Sequence, residues 1–259
     1  MSPNEQFLVE CAKEIELQGA NQELRDATTH WMNIANKGKY SYHFQWLGRP
    51  IIQYPQDVMA LQEIIFAVRP TVIVEAGIAH GGSLILSASL LRLLDLYEAA
   101  EKGEETISVA SKRKVIGIDI DIRAHNRAAI EAHPLSGNIT LIEGSSIAPD
   151  TVERVKQQVP GDARVLVILD SNHTHEHVLR ELEAYAPLVS PGSYCIVFDT
   201  VIEDMSDDMF PDRPWGKGDN PKTAVWEYLK HNPEFTIDRS VENKLMITVA
   251  PDGFLKRAG

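Results

Sequence analysis

Apolar residues form two kinds of pattern along this chain: short β-branched runs and longer segments with helical spacing. The short runs predict strands at 72–74, 114–119, 139–142, 164–169, 194–198, 235–237 and 245–249. The helical spacing predicts helices at 56–68, 83–94, 123–132, 147–159, 174–188 and 222–230. Strands that alternate with helices are typical of a parallel sheet with helices on both faces. The pattern therefore predicts an α/β fold.

The first 56 residues depart from this alternation. Residues 4–36 have helical spacing with a break near Gly19, and residues 37–56 are rich in aromatic side chains. Aromatic residues in an irregular segment either cover a pocket or pack as a hydrophobic plug, and packing is the commoner outcome. We predict an N-terminal helical and aromatic extension at 1–56 and an α/β domain at 57–259. Within that domain, the Glu, Lys and Ser residues of 99–113 predict a helix end and a surface loop.

Residues 72–83 read VIVEAGIAHGGS, an apolar strand that breaks into a glycine-containing turn before a helix. Such a unit accepts a ligand over the carboxyl end of the strand, and glycines let the backbone approach that ligand. The dinucleotide fingerprint G-x-G-x-x-G is absent because Ala79 replaces its second glycine, and no phosphate loop is present. Glu75 disfavours a strongly anionic ligand. The sequence of the turn therefore predicts that it binds a cationic or zwitterionic nucleoside. The alternative is an ordinary connection between strand and helix that binds no ligand.

Acidic residues stand at the ends of four predicted strands: Glu75, Asp119, Asp170 and Asp199. In an open α/β sheet those ends line one edge, where ligands bind. Asp119 is placed to accept hydrogen bonds from ribose hydroxyls. Asp170 and Asp199 follow neighbouring strands and suit a hard divalent cation. Each acid alone is equally well explained as a helix cap or a solvated loop residue, but together they predict a nucleotide-like ligand beside a metal.

Three histidines occur in the run HTHEH at 173–177, where His173 and His177 would share one face of a helix, as zinc ligands do. The spacing does not match H-E-x-x-H or another familiar zinc motif. We predict instead that His173 faces the site beside Asp170, while His175 and His177 lie on the helix surface. A neutral imidazole can take a proton from a substrate hydroxyl, so His173 is a candidate general base.

Composition narrows the classes of partner. The net charge of −12 over 259 residues argues against a nucleic-acid binder, which needs a basic face. Cys11 and Cys195 are far apart in the sequence, so we expect no disulfide framework. We therefore predict that the protein is located in the reducing cytoplasm. The acidic N-terminus lacks the apolar segment of a signal peptide, and no apolar run is long enough to span a membrane. We expect a small-molecule partner.

The run VEAGIAHGGS at 74–83 resembles motif I of S-adenosylmethionine (SAM)-dependent methyltransferases. More narrowly, the chain is similar to the family named for cephalosporin hydroxylase, which includes rhamnosyl O-methyltransferases. The similarity covers nearly the whole chain. It includes GIDID at 117–121, EGSS at 143–146, LDSNH at 169–173, VFDTV at 197–201 and the tail at 232–257.

The resemblance implies a Rossmann-like, seven-stranded class I methyltransferase sheet that is mostly parallel, with its last strand antiparallel. It also implies a magnesium ion at Asp170 and Asp199. Relatives often carry a second acidic or amide ligand next to the second aspartate, whereas Phe198 and Thr200 flank it here, and Thr200 would ligate through its hydroxyl or through a water. The resemblance assigns SAM to residues at the strand ends: Glu75, Gly77, Ala79, His80, Ser83, Asp119, Ser145, Ser146 and Asp170.

The implied reaction is methyl transfer from SAM to a hydroxyl of a sugar or another natural-product-like small molecule, with His173 and Asp170 as catalytic residues. Magnesium would orient the acceptor oxygen and lower its pKa, and His173 or a metal-bound water would remove the proton. Residues 40–54 and 203–218 are the expected acceptor-binding segments. Two alternatives stay open, a metal-dependent hydroxylase or oxygenase and a non-catalytic nucleoside-binding partner subunit. A homo-oligomer is also open, with the N-terminal helices as the candidate contact.

Overall fold

The computed structural model describes residues 1–104 and 111–259, so part of the predicted surface loop, 105–110, lies outside the described residues. The α-helices are α1 (Pro3–Ala20), α2 (Gln22–Lys37), α3 (Pro55–Val68), α4 (Gly82–Glu101), α5 (Ala124–Glu131), α6 (Pro149–Gln158), α7 (His175–Tyr185), α8 (Pro221–Leu229) and α9 (Arg239–Leu245). The strands are β1 (Phe44–Trp46), β2 (Arg49–Ile51), β3 (Val72–Ala76), β4 (Lys114–Asp119), β5 (Ile139–Glu143), β6 (Val165–Leu169), β7 (Tyr194–Val197), β8 (Phe235–Ile237) and β9 (Phe254–Arg257).

Seven of these strands form one sheet in the order β5-β4-β3-β6-β7-β9-β8. Strand β9 pairs antiparallel with both β7 and β8, while the pairs on the other side of β7 are parallel. Every residue of β3 and β6 is buried, as expected for central strands covered on both faces. The predicted α/β fold and its antiparallel last strand are confirmed. The carboxyl ends of β3, β4, β6 and β7 therefore share one edge.

The core lies in two layers, one on each face of the sheet, because successive residues of a strand point to opposite faces. Ile73 of β3 packs in the layer that contains apolar residues of α3, α4 and α5. Val72 and Val74 pack in the opposite layer with residues of α6, α7 and α8. Both layers of helices hold the sheet edge in place.

The predicted strand at 245–249 is wrong. Leu245 ends α9, and Met246 then adopts a positive φ of 58°. The buried carboxylate of Asp57, in the first turn of α3, accepts hydrogen bonds from the Thr248 hydroxyl at 2.5 Å and the Val249 N–H at 3.0 Å. The bond from the Val249 N–H uses a backbone group that a sheet partner would need, and the last strand forms at β9 instead.

The segment 37–56, predicted to be irregular, contains a regular hairpin. Strands β1 and β2 pair antiparallel, and Leu47 and Gly48 connect them with φ values of 44° and 85°. The rings of Trp31, Tyr40, Phe44 and Tyr54 pack against one another, with centroids 5.1 to 6.2 Å apart. Aromatic packing is therefore confirmed for this segment, and the domain boundary at 56/57 stays a prediction.

Among the described residues, no helix combines the length and the apolar character that crossing a membrane requires.

Candidate active site

The turn after β3 is built from residues with left-handed backbone conformations. Gly77, Ala79 and Gly81 have φ values of 86°, 43° and 81°, and Gly81 caps the N-terminus of α4. Glycine adopts this conformation readily, which explains two of the three positions. The chain thus passes from the buried strand to the helix in a few residues.

Side chains from three other elements hold this turn in place. The Asp119 carboxylate at the end of β4 accepts a hydrogen bond from the Ile78 N–H at 3.1 Å. Arg49 of the hairpin donates to the His80 carbonyl from Nε at 3.1 Å and from Nη2 at 2.5 Å. Asn126 of α5 donates to the Ala79 carbonyl at 3.1 Å. Arg49 and Asn126 carry no sequence signal for this role, since each is distant along the chain from the carbonyl that it binds.

Two glycines of this region make room for the protein itself, not for a ligand as predicted. A Cβ on Gly77 would overlap the backbone carbonyl of Asp170, and one on Gly82 would overlap the carbonyl of Pro50 in the hairpin. The Asp170 N–H also donates to the Ala76 carbonyl at 2.8 Å. The ends of β3 and β6 are therefore in direct contact.

A cleft of about 180 Å³, hereafter the donor cleft, opens between this turn, the hairpin and the end of β6. Five of the predicted donor-binding residues line it: Gly77, Ala79, His80, Ser83 and Asp170.

Glu75 lies behind the wall of the donor cleft. It is buried and accepts a hydrogen bond from the Ser87 hydroxyl at 3.3 Å, and Ser83 also bonds to its carboxyl group. Its Oε1 atom has no hydrogen-bond partner among the residues described. Burial raises the pKa of Glu75 from 4.5 to about 7.

The other three predicted donor ligands, Asp119, Ser145 and Ser146, lie outside the lining of the donor cleft. The second oxygen of Asp119 accepts from the Asp121 N–H at 3.1 Å. The Ser146 hydroxyl lies 2.9 Å from His177 Nε2. A contact of these three residues with SAM stays a prediction.

A cluster of three potential metal ligands stands at the ends of β6 and β7. One ligand atom each from Asp170, His173 and Asp199 lies within 4.8 Å of the others. His173 Nε2 is 3.2 Å from Asp199 Oδ2. Burial and the neighbouring carboxylates of Asp199 and Glu75 raise the pKa of Asp170 well above its usual value. Two carboxylates held this close repel each other, and a divalent cation would balance them.

The donor set fits magnesium better than a softer metal, because two carboxylates supply hard oxygen ligands. Thr200, the predicted third ligand, is buried, and its hydroxyl donates to the Pro251 carbonyl at 2.7 Å. His173 is the third side chain of the cluster, and a contact of Thr200 with magnesium stays a prediction.

The other two histidines of the HTHEH run lie in the first turn of α7, where contacts with neighbouring residues leave them half-buried rather than fully exposed on the helix surface. His175 Nδ1 is 2.8 Å from the Thr223 hydroxyl, and His177 contacts Ser146 and the buried Glu181. Among the described residues, neither histidine joins a cluster of three metal-ligating side chains.

A larger cavity of about 720 Å³, hereafter the acceptor cavity, opens beside the donor cleft. The two share Tyr42, Ile52, His173 and Asp199. Residues 209–215 form one wall, and the Trp215 ring packs edge-on against the His173 ring with centroids 5.0 Å apart. Both predicted acceptor segments, 40–54 and 203–218, thus contribute to this cavity.

Comparison with known proteins assigns the family. The family model described as "Rhamnosyl O-methyltransferase/CmcI" matches residues 38–258. The chain belongs to this family. It is 30% identical over 205 residues to a rhamnosyl O-methyltransferase of Mycobacterium bovis (strain BCG / Pasteur 1173P2). The aligned region covers 78% of this chain and 73% of that relative. The family prediction is confirmed.

Solved structures of CmcI share the fold of this family member. An apo structure has a TM-score of 0.54 at 22% identity and covers 84% of this chain and 77% of CmcI. A CmcI structure with Mg and SAM has a TM-score of 0.53 at 21% identity and covers 84% and 78%. These similarities confirm the Rossmann-like methyltransferase fold.

Proposed function

We propose that this protein transfers the methyl group of SAM to a hydroxyl of a sugar or a similar small molecule, with the help of magnesium. One observation carries the proposal: a donor cleft and an acceptor cavity meet at His173 and Asp199, beside Asp170. The names of the family and of its mycobacterial relatives support O-methylation of a sugar. The proposed compartment is the reducing cytoplasm, which the cysteine content favours.

The donor cleft suits SAM because that molecule is a zwitterionic nucleoside with a sulfonium centre, which makes its methyl group electrophilic. Gly77, His80 and Ser83 would line the bound donor. The buried carboxyl group of Glu75 behind Ser83 has one oxygen without a hydrogen-bond partner among the residues described, and a bound cationic group would favour the ionised form of this carboxyl. A related CmcI structure contains Mg and SAM, which supports the same pair of ligands here.

Asp170 and Asp199 would hold the magnesium ion, which supplies a positive charge that orients the acceptor oxygen and lowers its pKa. Asp199 lines both cavities and Asp170 lines the donor cleft, so a metal held by this pair would bring the acceptor oxygen next to the donor cleft. Fixing donor and acceptor in line contributes much of the rate, since methyl transfer needs little covalent help from the protein.

His173 is the proposed general base. Its Nε2 atom is 3.2 Å from Asp199 Oδ2, and its ring lines both cavities. The edge of Trp215 against the imidazole restricts the orientation of the ring. In this position His173 accepts the proton that leaves the acceptor hydroxyl during methyl transfer.

The acceptor cavity supports a sugar-like substrate. Its volume of about 720 Å³ is typical of a site for a small molecule. Tyr42, Tyr54, Phe210 and Trp215 give it aromatic walls, which pack well against the apolar faces of a sugar ring. Asn36, Ser41 and Asn172 add hydrogen-bonding groups for hydroxyls.

The ligand cluster does not favour an iron oxygenase. The facial triad of such enzymes has two histidines and one carboxylate, whereas this cluster has one histidine and two carboxylates.

The test is the release of S-adenosylhomocysteine from SAM with a panel of sugars and phenols, with magnesium and with EDTA. We expect turnover that EDTA abolishes, and a loss of roughly 100-fold or more in kcat for Asp199→Asn. Asp207→Asn is the matched control, because Asp207 is 83% exposed in the loop after β7 and should leave kcat unchanged. Turnover that is insensitive to both EDTA and Asp199→Asn would contradict the metal assignment. No turnover with any acceptor would contradict the proposed function.

A further inference from the structure

Two cationic side chains line the acceptor cavity, Lys39 and Arg213. No acidic side chain in the described part of the chain lies within ion-pairing distance of either cation. The protein has a net charge of −12, so acids are plentiful elsewhere on its surface. Unpaired cations in a substrate cavity of such a protein are candidates for ligand contacts.

Arg213 is held against the wall of the cavity. Its guanidinium lies over the Trp215 ring, 5.6 Å from the centroid, in a cation–π contact. The same ring packs edge-on against His173. The guanidinium and the proposed general base therefore contact the same indole ring, and both line the acceptor cavity, so a single ligand there can reach both.

Lys39 extends from a fixed piece of backbone. Its N–H donates to the Asn36 carbonyl at 2.9 Å, and its carbonyl accepts from the Tyr42 N–H at 2.9 Å. Tyr42 lines both the donor cleft and the acceptor cavity. The Lys39 side chain itself is exposed and free to contact a ligand.

The remaining acids of the acceptor cavity are Asp199 and Asp212. Asp199 is assigned to the metal in the proposed function, which leaves Asp212 to oppose two cations. Apart from Asp199, the lining of this cavity therefore carries a net positive charge, from Lys39 and Arg213 against Asp212. A neutral sugar would leave this charge unused.

We propose that the natural acceptor carries an anionic group, a carboxylate or a phosphate, on its hydroxylated ring, and that Lys39 and Arg213 bind this group. This inference rests on the proposed function. The guanidinium fork binds the oxygens of either anion in a bidentate manner, and the ammonium adds a point charge. The anion fixes the ring so that its hydroxyl lies at the junction of the two cavities.

The test compares matched pairs of acceptors that differ only in the anionic group. Glucuronate and glucose, galacturonate and galactose, and glucose 6-phosphate and glucose are assayed by release of S-adenosylhomocysteine. The uronates and the phosphate distinguish the two sources of negative charge. We expect kcat/KM for the acidic member of at least one pair to exceed that of its neutral partner by about tenfold or more.

Substitutions of Lys39 and Arg213 then test whether these two side chains cause the preference for acidic acceptors. We expect Lys39→Gln and Arg213→Gln each to lower the ratio of acidic to neutral kcat/KM by about fivefold or more. Lys217→Gln is the matched control. Lys217 belongs to the same loop as Arg213, pairs with Asp207 and does not line the acceptor cavity. It should leave the ratio unchanged.

Neutral acceptors used as well as or better than their acidic partners would overturn the inference and leave the proposed function intact. A preference for acids that survives in both variants would also overturn it. The absence of turnover with every acceptor, in the wider panel as well, would overturn the proposed function and this inference together.

Discussion

The backbone carbonyl of Asp170 occupies the space in which a side chain on Gly77 would stand. The two residues follow different strands, β3 and β6, which pair in parallel up to this point. Because Gly77 lines the donor cleft and Asp170 belongs to the ligand cluster, this contact would set the distance between a bound donor and a metal ion at the proposed sites. A displacement of one residue moves the other.

We predict that Gly77→Ala strongly destabilises the protein. Gly77 has a φ of 86°, which costs an alanine roughly 1 to 2 kcal/mol, and the new Cβ overlaps the Asp170 carbonyl as well. We expect urea denaturation to show a loss of about 3 kcal/mol or more in the free energy of unfolding.

Gly48→Ala is the matched control for this substitution. Gly48 has nearly the same φ, 85°, but no atom lies within 4 Å of the position of its added Cβ. It should lose only about 1 to 2 kcal/mol from the backbone conformation. Equal losses in the two variants would show that the contact between Gly77 and Asp170 is not tight.

We predict that Arg49 contributes to SAM binding, although its side chain contacts only backbone atoms of the turn after β3. Arg49 donates two hydrogen bonds to the His80 carbonyl and one to Asn126, so Arg49→Lys keeps the charge but loses the fork. We expect calorimetry to show SAM binding weakened by about tenfold. Arg127→Lys, on the neighbouring helix α5, is the control. Equal SAM affinities in the two variants would contradict the inference that Arg49 holds the turn in place.

The stability of the ligand-free protein should fall as the pH rises toward neutrality. Burial raises the pKa of Asp57 from 3.8 to about 7 and that of Glu75 from 4.5 to about 7. The folded protein therefore binds protons that the unfolded chain has released, and this stabilisation is present below about pH 4 and is lost as the pH rises through about 7. Each such group contributes a slope of about 1.4 kcal/mol per pH unit.

Denaturation in EDTA at about pH 5, 6 and 7 measures this slope. Asp57→Asn removes one of the titrating groups and should make the slope shallower by up to one proton, although it also weakens the bond to Val249. Asp207→Asn, at an exposed position, should not change the slope. A wild-type slope in Asp57→Asn would show that Asp57 is ionised in the folded protein throughout this range.

Local patterns were sufficient to predict most of the sheet. Strands β3 and β6 are buried on both faces, so their sequences are nearly uninterrupted apolar runs that can be recognised without a partner. The run at 245–249 looks similar but is not a strand, because Asp57, almost two hundred residues away in the sequence, binds Thr248 and Val249. Sequence periodicity carries no information about such a distant partner.

In the candidate site too, some features could be predicted from local sequence and others depend on distant contacts. Asp170 and Asp199 could be predicted because each directly follows a recognisable strand, and all parallel strands end at one edge. For Thr200, the direction of the side chain depends on the distant Pro251 carbonyl, to which its hydroxyl donates, and its contact with magnesium stays a prediction. The contact between Trp215 and His173 depends on the path of a loop, for which the sequence contains no periodic signal.

The most direct test of the account is a calorimetric titration with SAM, with and without magnesium. We predict binding at one site in the micromolar range for the wild type. The binding should weaken by at least about tenfold in Asp119→Ala, whose carboxylate holds the Ile78 N–H of the turn. Asp121→Ala, two residues further on and exposed, should bind as the wild type does. No heat of binding under either condition would contradict the assignment of this protein as a SAM-dependent methyltransferase.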